Sequence, residues 1–581
     1  MVRRMAITAL CAASVWSATG AVLAQSPPII TPSPLPAAIP ATPSAFPTPA
    51  AANPEPPTSS PLPTSPTASP AVLPLRATPA QIKIPSGQSL SITVTGGSGE
   101  INASLDNRVA QIAVNQAART VTVTAIMTRA TATLHIFDQL GQAVDVAIRV
   151  APNAGTVPQS LTIRLTGDSL DPQFIASQVT LRLLRETQAQ PGVLPAITVQ
   201  PLGQPLLPGA IANLLVPVQL RGGDQYLDVS GATSVTLQNV GAAPFYPTLL
   251  HYSDDPERIV SDGVLYRATL TAQQPIRLYD YHENGPQSRR LVLVLSSVAP
   301  SSVHMIESFA GPNIDVMTVG HVVTRNFLIY KPRNIGTIVD LAGNAPIAYR
   351  DVPMAPRDGV ASNLDLRLVS GGPVTVTVLA VSPGINPATL LDGPRLTGDT
   401  HNRHGVFSLT GYGAQALQYE VGGADVSADI GDREPTVPNV DFSDSGHDYG
   451  DYGVLHQFRI TMTNPTDQPA SVYVFMAPRA GPVRSSYLID DDAAPLELGC
   501  VRAQNPMVRY LLRSYTLPPR ESLQSRVLTM SEGGSNYPIT IGASATEPQP
   551  TAPPISAPNG CFPKPGQETP AAATPLPSAT P

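Results

Sequence analysis

Two stretches that share one plan of strand, turn and strand constrain this chain most. They cover residues 459–482 (RITMTNPTDQPASVYVFMAPRAGP) and 290–312 (RLVLVLSSVAPSSVHMIESFAGP). Arg290 matches Arg459 and Pro300 matches Pro469 at one constant offset, and both stretches end in Ala-Gly-Pro. Alternating apolar residues interrupted by a turn are typical of antiparallel strands. The C-terminal half is therefore predicted to use one β-module twice, over residues 241–385 and 405–545.

Later landmarks extend this match. The segment 356–358 (PRD) corresponds to 519–521 (PRE), and each precedes an alternating strand, a pair of glycines and a final strand. Two explanations remain open. The chain carries an internal duplication, which we favour, or two sandwiches have converged on common turn and strand patterns.

Residues 77–152 contain short alternating segments separated by Gly, Asn, Asp and Ser, a pattern that predicts a β-sandwich. The runs VAQIAVNQAARTVTVTA and DQLGQAVDVAIRV resemble bacterial immunoglobulin-like domains. That resemblance implies a spacer or adhesive module. The C-terminal half, with YDYHENGPQSRRLVLVL and DYGVLHQFRITMTNPTDQPASVYV, resembles a secreted cyanobacterial-type family of unknown function. It implies no catalytic residues.

Residues 158–240 are predicted to form a β-rich unit with one helix. Asp171 and Pro172 supply an N-cap and a first-turn proline. Ile175, Val179 and Leu183 follow at helical spacing, which predicts a helix over about residues 172–187. The fold class predicted for the whole chain is all-β, with tandem immunoglobulin-like sandwiches and one short helix, flanked by disordered Pro-rich segments.

The two ends differ in composition from the rest. Residues 1–24 combine Arg3 and Arg4 with an apolar run that ends in Val-Leu-Ala, which indicates a secretory signal peptide. Residues 25–76 and 546–581 are rich in Pro, Ala, Ser and Thr and are predicted to be extended and disordered. They act either as stalks or as segments without a selected length. No later stretch is long and apolar enough to predict a membrane span.

Charge and cysteine content narrow the function classes. The formal charge of −7 becomes −9 without Arg3 and Arg4, which excludes an electrostatic nucleic-acid binder. Two cysteines, Cys500 and Cys561, remain after the signal. A disulfide between them closes a loop of about 60 residues and contributes roughly 4 kcal/mol. Two free thiols or a bond between chains are the alternatives, because spacing alone does not determine pairing.

An acidic run over residues 425–451 (DVSADIGDREPTVPNVDFSDSGHDYGD) is the best candidate for a metal site. Carboxylates on a glycine-rich tight loop suit Ca²⁺, but the bidentate Glu of an EF-hand loop is missing. A solvated acidic loop before a strand is the alternative. The candidate calcium ligands are Asp441, Asp444, Asp448 and Asp451; no other cofactor is predicted.

Two smaller clusters also contain polar groups. His401 and His404 lie three residues apart beside Asp399, but two histidines do not define a zinc site. An exposed inter-module loop is the explanation we favour. The segment 279–283 (YDYHE) forms a polar aromatic patch, either a ligand surface or an edge strand with polar outward residues.

Sequence motifs of common enzymes are missing. There is no G-x-S-x-G elbow, H-E-x-x-H pair, Walker loop or dinucleotide fingerprint. The chain is therefore predicted to be a non-enzymatic, exported cell-envelope protein with a structural or adhesive role and an envelope or surface partner. A calcium-dependent binding module is the first alternative. A secreted hydrolase that uses His401 or His447 beside carboxylates is the second.

Overall fold

The computed structural model describes residues 72–106, 108–398, 404–431, 438–440 and 446–550. Strands dominate these ranges and form several sheets, so the prediction of an all-β chain of sandwich modules is confirmed. Two helices of 15 residues each occur there, one more than predicted. Neither has the length and apolar character of a membrane span. The predicted signal, most of the spacer and nearly all of the tail lie outside the described residues.

The first folded segment is a sandwich of two four-stranded sheets, ordered β1-β3-β6-β5 and β2-β8-β7-β4. Alternate residues such as Ile82 and Ile84 on one strand, and Ile92 and Val94 on another, fill its core. The short alternating segments of residues 77–152 are strands of this sandwich. The strands are β1 (Arg76–Thr78), β2 (Gln81–Pro85), β3 (Ser89–Thr95), β4 (Ile101–Ser104), β5 (Ala110–Asn115), β6 (Thr120–Ala125), β7 (Ala130–Asp138) and β8 (Ala143–Ala151).

The next segment contains the predicted helix. The Asp171 side chain accepts hydrogen bonds from the backbone N–H groups of Gln173 (2.7 Å) and Phe174 (3.3 Å), which caps the helix as expected. Ile175, Val179 and Leu183 are buried on its inner face. The elements are β9 (Gly155–Thr156), β10 (Ser160–Thr166), α1 (Pro172–Glu186), β11 (Gln188–Ala189), β12 (Pro195–Ile197), β13 (Ile211–Leu220) and β14 (Val229–Asn239).

The first C-terminal module, called repeat 1, is a sandwich with an inserted helix. Its elements are β15 (Leu249–Ser253), β16 (Arg258–Ile259), β17 (Gly263–Leu270), β18 (Ile276–Asn284), β19 (Arg289–Ser296), β20 (Ser301–Asn313), α2 (Val316–Tyr330), β21 (Gly336–Leu341), β22 (Ile347–Met354), β23 (Gly359–Gly371) and β24 (Val374–Val381). A short 3₁₀ turn, Pro387–Leu390, follows.

The second C-terminal module, called repeat 2, completes the described chain. Its strands are β25 (His404–Ser408), β26 (Ala414–Glu420), β27 (Val426–Ile430), β28 (Leu455–Thr463), β29 (Ala470–Pro478), β30 (Pro482–Ile489), β31 (Leu496–Arg502), β32 (Tyr510–Leu517), β33 (Ser522–Met530) and β34 (Ile539–Ser544). The first of them, β25, pairs with β15 of repeat 1.

One large sheet crosses the boundaries expected from the sequence. Its order is β12-β13-β14-β10-β21-β20-β23-β18-β15-β25, with β16 paired to β18. Antiparallel pairing of β10 with β21 therefore joins the segment 158–240 to repeat 1. The turn and loop signals near residue 240 mark a connection within this sheet, not a break between separate units.

The two repeats have the same strand order. The sheet β17-β24-β19-β22 corresponds to β27-β34-β29-β32, and β15-β18-β23-β20-β21 corresponds to β26-β28-β33-β30-β31. In each repeat the first strand of the second sheet pairs in parallel with its neighbour, β15 with β18 and β26 with β28. Each also has a register shift between the equivalent pairs β19–β22 and β29–β32.

The sequence match between residues 290–312 and 459–482 aligns strands that are not structurally equivalent. Arg290 lies on β19, whereas Arg459 lies on β28, whose counterpart is β18. Strands of a sandwich share their alternating pattern, so neighbouring strands match almost as well as equivalent ones. The later landmarks are correctly paired. Arg357 and Arg520 precede the equivalent strands β23 and β33, and both have positive φ, 70° and 59°.

Candidate functional site

The helix α2 is the one major element of repeat 1 without a counterpart in repeat 2. It packs on β20 and β23 of its own repeat and on β30 and β33 of repeat 2. Phe327 and Leu328 join Ile306 of repeat 1 to Leu488 and Leu528 of repeat 2 in one apolar cluster. Gly320 allows the closest approach, since a Cβ there would meet the Gly533 carbonyl oxygen at 2.1 Å. The helix therefore joins the two repeats.

A buried histidine adds ionic contacts to this junction. His321 on α2 places Nε2 2.8 Å from Glu497 Oε2 and Nδ1 2.9 Å from Glu532 Oε2. Burial opposes its charge, but these two carboxylates of repeat 2 outweigh burial and raise the pKa of His321 to about 9. The hydrogen bond from His321, together with Arg325, lowers the pKa of Glu497 to about 2. The charged form of the histidine therefore links the repeats.

A serine, a histidine and a carboxylate meet at this junction, the residue types of a hydrolase triad. Ser486 Oγ lies 3.4 Å from His321 Nδ1, but its hydroxyl donates to Glu532 Oε1 at 2.8 Å. Ser486 and Glu532 are both fully buried. A nucleophile must reach its substrate, and a histidine charged by two carboxylates cannot accept a proton as a base. This trio is built to hold the repeats together.

A second buried ionic cluster lies close by, within repeat 1. Arg277 on β18 and Asp365 on β23 are direct cross-strand partners, with Nε 2.6 Å from Oδ1 and Nη2 3.1 Å from Oδ2. Lys331, at the end of α2, places Nζ 2.7 Å from Asp365 Oδ2. Burial raises the pKa of Asp365, but the two cations outweigh burial and hold it below its usual value.

The structure describes two of the four predicted calcium ligands, Asp448 and Asp451. Asp441 and Asp444 lie outside the described residues. Asp448 and Asp451 are buried in the turn before β28, and Asp451 has a positive φ of 52°. Asp451 Oδ2 is 3.7 Å from His456 Nε2, yet burial lowers the pKa of His456 to about 3, so the ring stays neutral. These two carboxylates therefore do not project into solvent as in a hydrated acidic loop.

The other predicted residues also fall into different places. His401 and Asp399 lie outside the described residues, whereas His404 is buried on β25, hydrogen-bonded to Arg395 and 5.0 Å from the Tyr266 ring. His447 is exposed, 6.0 Å from the Tyr449 ring. Cys500 on β31 is disulfide-bonded. Its predicted partner, Cys561, lies outside the described residues, so the pairing stays a prediction.

The predicted polar aromatic patch lies in the middle of a sheet. Its strand β18 pairs with both β15 and β23, so the edge-strand alternative is wrong. Tyr279 and Tyr281 are buried and face a cavity of about 180 Å³ between the repeats. Burial, with nearby acidic groups, raises the pKa of Tyr281. Other residues that line this cavity are Tyr252, Asp254, Glu257, Tyr452 and Ser535.

Sequence reasoning did not find the junction between the repeats. Its signals are charged or titratable residues inside largely apolar segments: Arg277 in PIRLYDY, Asp365 in NLDLRL and His321 in VGHVV. Charged residues are rarely buried unless they are paired, so each such residue predicts a partner from elsewhere in the chain. The partner itself could not be named from one sequence.

Comparisons with known proteins give distant structural matches only. No family model and no curated protein matches the chain. The insect immune protein hemolin matches with a TM-score of 0.17 and 9% identity over 36% of this chain and 62% of its own. Drosophila N-cadherin EC1–3 matches with 0.12 and 11% over 29% and 68%. A SusE-like surface-located polysaccharide-binding protein from Bacteroides thetaiotaomicron matches with 0.13 and 9% over 39% and 43%. The tandem β-sandwich architecture rests on the sheets of this chain itself, and these matches transfer no function to it.

Proposed function

We propose that the protein is a non-catalytic, exported component of the cell envelope with a structural or adhesive role. The junction between the repeats carries this proposal. Helix α2, the His321 ion pairs and the shared apolar cluster make repeats 1 and 2 act as one unit. A rigid tandem unit transmits load and presents loops at fixed positions, which suits a scaffold or adhesin.

Two further observations support a non-catalytic role. The groups that resemble a nucleophile, base and acid are buried and hydrogen-bonded to each other, as at Ser486, His321 and Glu532. The runs in residues 77–152 and in the C-terminal half resemble bacterial immunoglobulin-like domains and a secreted family without known catalytic residues. The N-terminal signal pattern and the Pro-rich ends support export.

The experiment that tests this proposal measures exposure and binding on intact cells. The full chain, tagged internally at the exposed residue Gly223, is produced in its source organism, and protease accessibility of the tag is measured before and after lysis. Envelope fractions are then tested for retention of the purified protein. Surface exposure with retention supports the proposal. A protein that is neither exposed on intact cells nor retained by any envelope fraction contradicts it.

Calcium-dependent binding is a second candidate because of the turn before β28. Asp448 and Asp451 are buried there, and Gly450 and Gly453 have positive φ of 92° and 81°. Among the residues that the structure describes, no three acidic, histidine or cysteine side chains are grouped to hold a metal. A site would therefore need Asp441 and Asp444 as well.

A thermal melt of the full chain with calcium and with chelator tests this candidate. Saturating Ca²⁺ at 100 times its dissociation constant adds about 2.7 kcal/mol to the free energy of unfolding. The double variant Asp441→Asn, Asp444→Asn should lose that gain, while Asp467→Asn, an exposed acidic residue on repeat 2, should keep it. Equal melting temperatures with calcium and chelator would remove this candidate.

A further inference from the structure

A cavity of about 220 Å³ opens where the two repeats meet, on the side of Lys331. Segments from both repeats line it: the loop before β15, strand β18, the end of α2, the link from β25 to β26, and the start of β28. The lining residues that matter here are Tyr246, Arg277, Lys331, Tyr412 and Gln457. Ligand sites in proteins occur preferentially at such junctions.

The charges around this cavity do not balance. Arg277 and Lys331 are buried, with 3% and 7% of their surface exposed, and both pair with the single carboxylate of Asp365. Burial, with the guanidinium groups of Arg277 and the half-buried Arg367, lowers the pKa of Lys331 although Asp365 opposes the shift. Buried charges in proteins are normally paired, so two buried cations on one carboxylate leave an excess of one positive charge.

Arg277 and Lys331, which line the cavity, also have more N–H groups than their protein acceptors use. Arg277 uses Nε and Nη2 on Asp365 and Nη1 on the Gly453 carbonyl (2.9 Å), three of its five N–H groups. Lys331 donates to Asp365 and to the Phe245 carbonyl, which leaves its third N–H. Within the described ranges, no other partner of these two groups accepts the remaining N–H groups. An oxyanion bound in the cavity would supply both the acceptors and the missing negative charge.

Aromatic rings explain how the cations tolerate burial but do not neutralise them. Lys331 Nζ lies 4.5 Å from the Phe245 ring centre and 5.2 Å from that of Tyr246, and the Arg277 guanidinium lies 4.9 Å from Phe327. Such contacts attract a cation to the electron-rich face of a ring. A ring carries no net charge, so the excess positive charge remains.

We propose that this cavity binds the carboxylate of a hydroxylated ring ligand, a sugar acid of the uronic acid class. The carboxylate pairs with the free N–H groups of Arg277 and Lys331. The Tyr246 ring, 76% exposed, covers the sugar face at the rim, and the Gln457 amide bonds to its hydroxyl groups. This site is separate from the proposed envelope role and stands or falls independently of it.

Calorimetric titration of the full chain with glucuronate tests the proposal, with glucose and acetate as comparison ligands. Glucuronate should bind, more weakly as salt increases, and at least tenfold more tightly than either comparison ligand. Lys331→Met should weaken binding at least tenfold through loss of a charged contact. Lys83→Met, an exposed lysine on β2, should leave it unchanged.

Tyr246→Ala tests the site without removing a buried side chain, so its effect on binding is not confused with an effect on folding. Its side chain is exposed, so the variant should fold normally and bind glucuronate about three- to tenfold more weakly, with acetate binding unchanged. The proposal is overturned if folded wild-type chain shows no glucuronate binding at millimolar concentration. Equal affinity for glucuronate and glucose, or unaltered binding by folded Lys331→Met, overturns it as well.

Discussion

Repeats 1 and 2 share nine equivalent strands but differ in some of their connections, above all in the one that holds α2. In repeat 1, α2 is inserted between β20 and β21; in repeat 2, a short turn at residues 490–495 joins β30 to β31. Elsewhere even local devices agree. The Asn284 amide donates to carbonyls of residues 287, 354 and 355, and the Asn464 amide donates to carbonyls of residues 468, 517 and 518. The insertion therefore adds a helix to repeat 1 without changing the arrangement of its strands.

The effect of the insertion appears in the burial of equivalent strands. β28 alternates between buried and partly exposed residues, as in a sheet with one face open to solvent. Its counterpart β18 is buried at nearly every position, because Val319 and Val323 of α2 cover Tyr279 and Tyr281 on its outer face. A single helix thus converts the outer face of one sandwich into an interior between two.

The largest expected effect comes from breaking this interior. Phe327 is fully buried among Ile306, Leu488 and Leu528. Phe327→Ala should lower the free energy of unfolding by about 3–5 kcal/mol, because it leaves a cavity in the apolar cluster that the two repeats share. Urea unfolding and calorimetry measure the loss. We expect the two repeats to unfold in one transition in the wild type and in two separate transitions in the variant.

The matched control for this substitution is Phe137→Ala on β7. Its side chain is 39% exposed, so the cost should stay below about 1.5 kcal/mol. If Phe327→Ala costs no more than the control, α2 does not couple the repeats energetically.

The next effect depends on pH. His321 is faced by Glu497 of β31, Glu532 after β33, Ser486 and Arg484 of β30, and Arg325 of its own helix. Its pKa is about 9 in the folded protein and about 6.5 when unfolded, so its charge stabilises the folded state. That contribution, about 3 kcal/mol, is complete below pH 6.5 and is lost as pH rises through 9.

The difference in unfolding free energy between wild type and His321→Gln measures this contribution. It should be large at pH 6 and small at pH 10. His135→Gln, a surface histidine whose side chain is 56% exposed, should give a small difference at both values. A difference for His321→Gln that is the same at pH 6 and pH 10 contradicts the charged junction.

The same comparison shows what one sequence can predict. Alternating strands were predicted because each buries one face, and α1 was predicted because Asp171 caps a segment with clear helical spacing. Helix α2 (VMTVGHVVTRNFLIY) was missed because it is rich in β-branched residues and is buried on several sides. Helical periodicity is visible only when one face is polar.

Candidate site residues can be predicted from the sequence where they lie close together along the chain. The patch at Tyr279 and Tyr281 was recognised, but its surroundings come from residues far along the chain, such as Tyr452. The ion pairs of His321 join residues 176 and 211 positions apart, a separation no spacing rule covers. Long-range pairing depends on how sheets stack, and a single sequence does not encode that stacking in any local pattern.

A smaller effect tests whether equivalent residues of the two repeats contribute equally to the free energy of unfolding. Asn284 and Asn464 each satisfy three backbone carbonyls at the end of equivalent strands. Asn284→Ala and Asn464→Ala should each cost about 1–3 kcal/mol, because the carbonyls lose their donor. Urea unfolding should place the two costs within about 1 kcal/mol of each other. A neutral result at one position and a large cost at the other would show that the repeats share geometry without sharing energetics.

The smallest effect concerns the turns before β23 and β33. Arg357 and Arg520 have positive φ there, a conformation that costs an L-residue about 1–2 kcal/mol and that asparagine adopts more readily. Arg357→Asn and Arg520→Asn should therefore each raise the free energy of unfolding by about 0.5 kcal/mol. The gain at Arg520 should be the smaller one, since that variant also loses an exposed ion pair with Asp467. Arg459→Asn, on an extended strand, has no such strain to release and should not gain. Paired urea midpoints decide the matter: gains at both turns mean that the repeats keep one strained turn in common, and a gain at only one turn means that the strain belongs to that repeat alone.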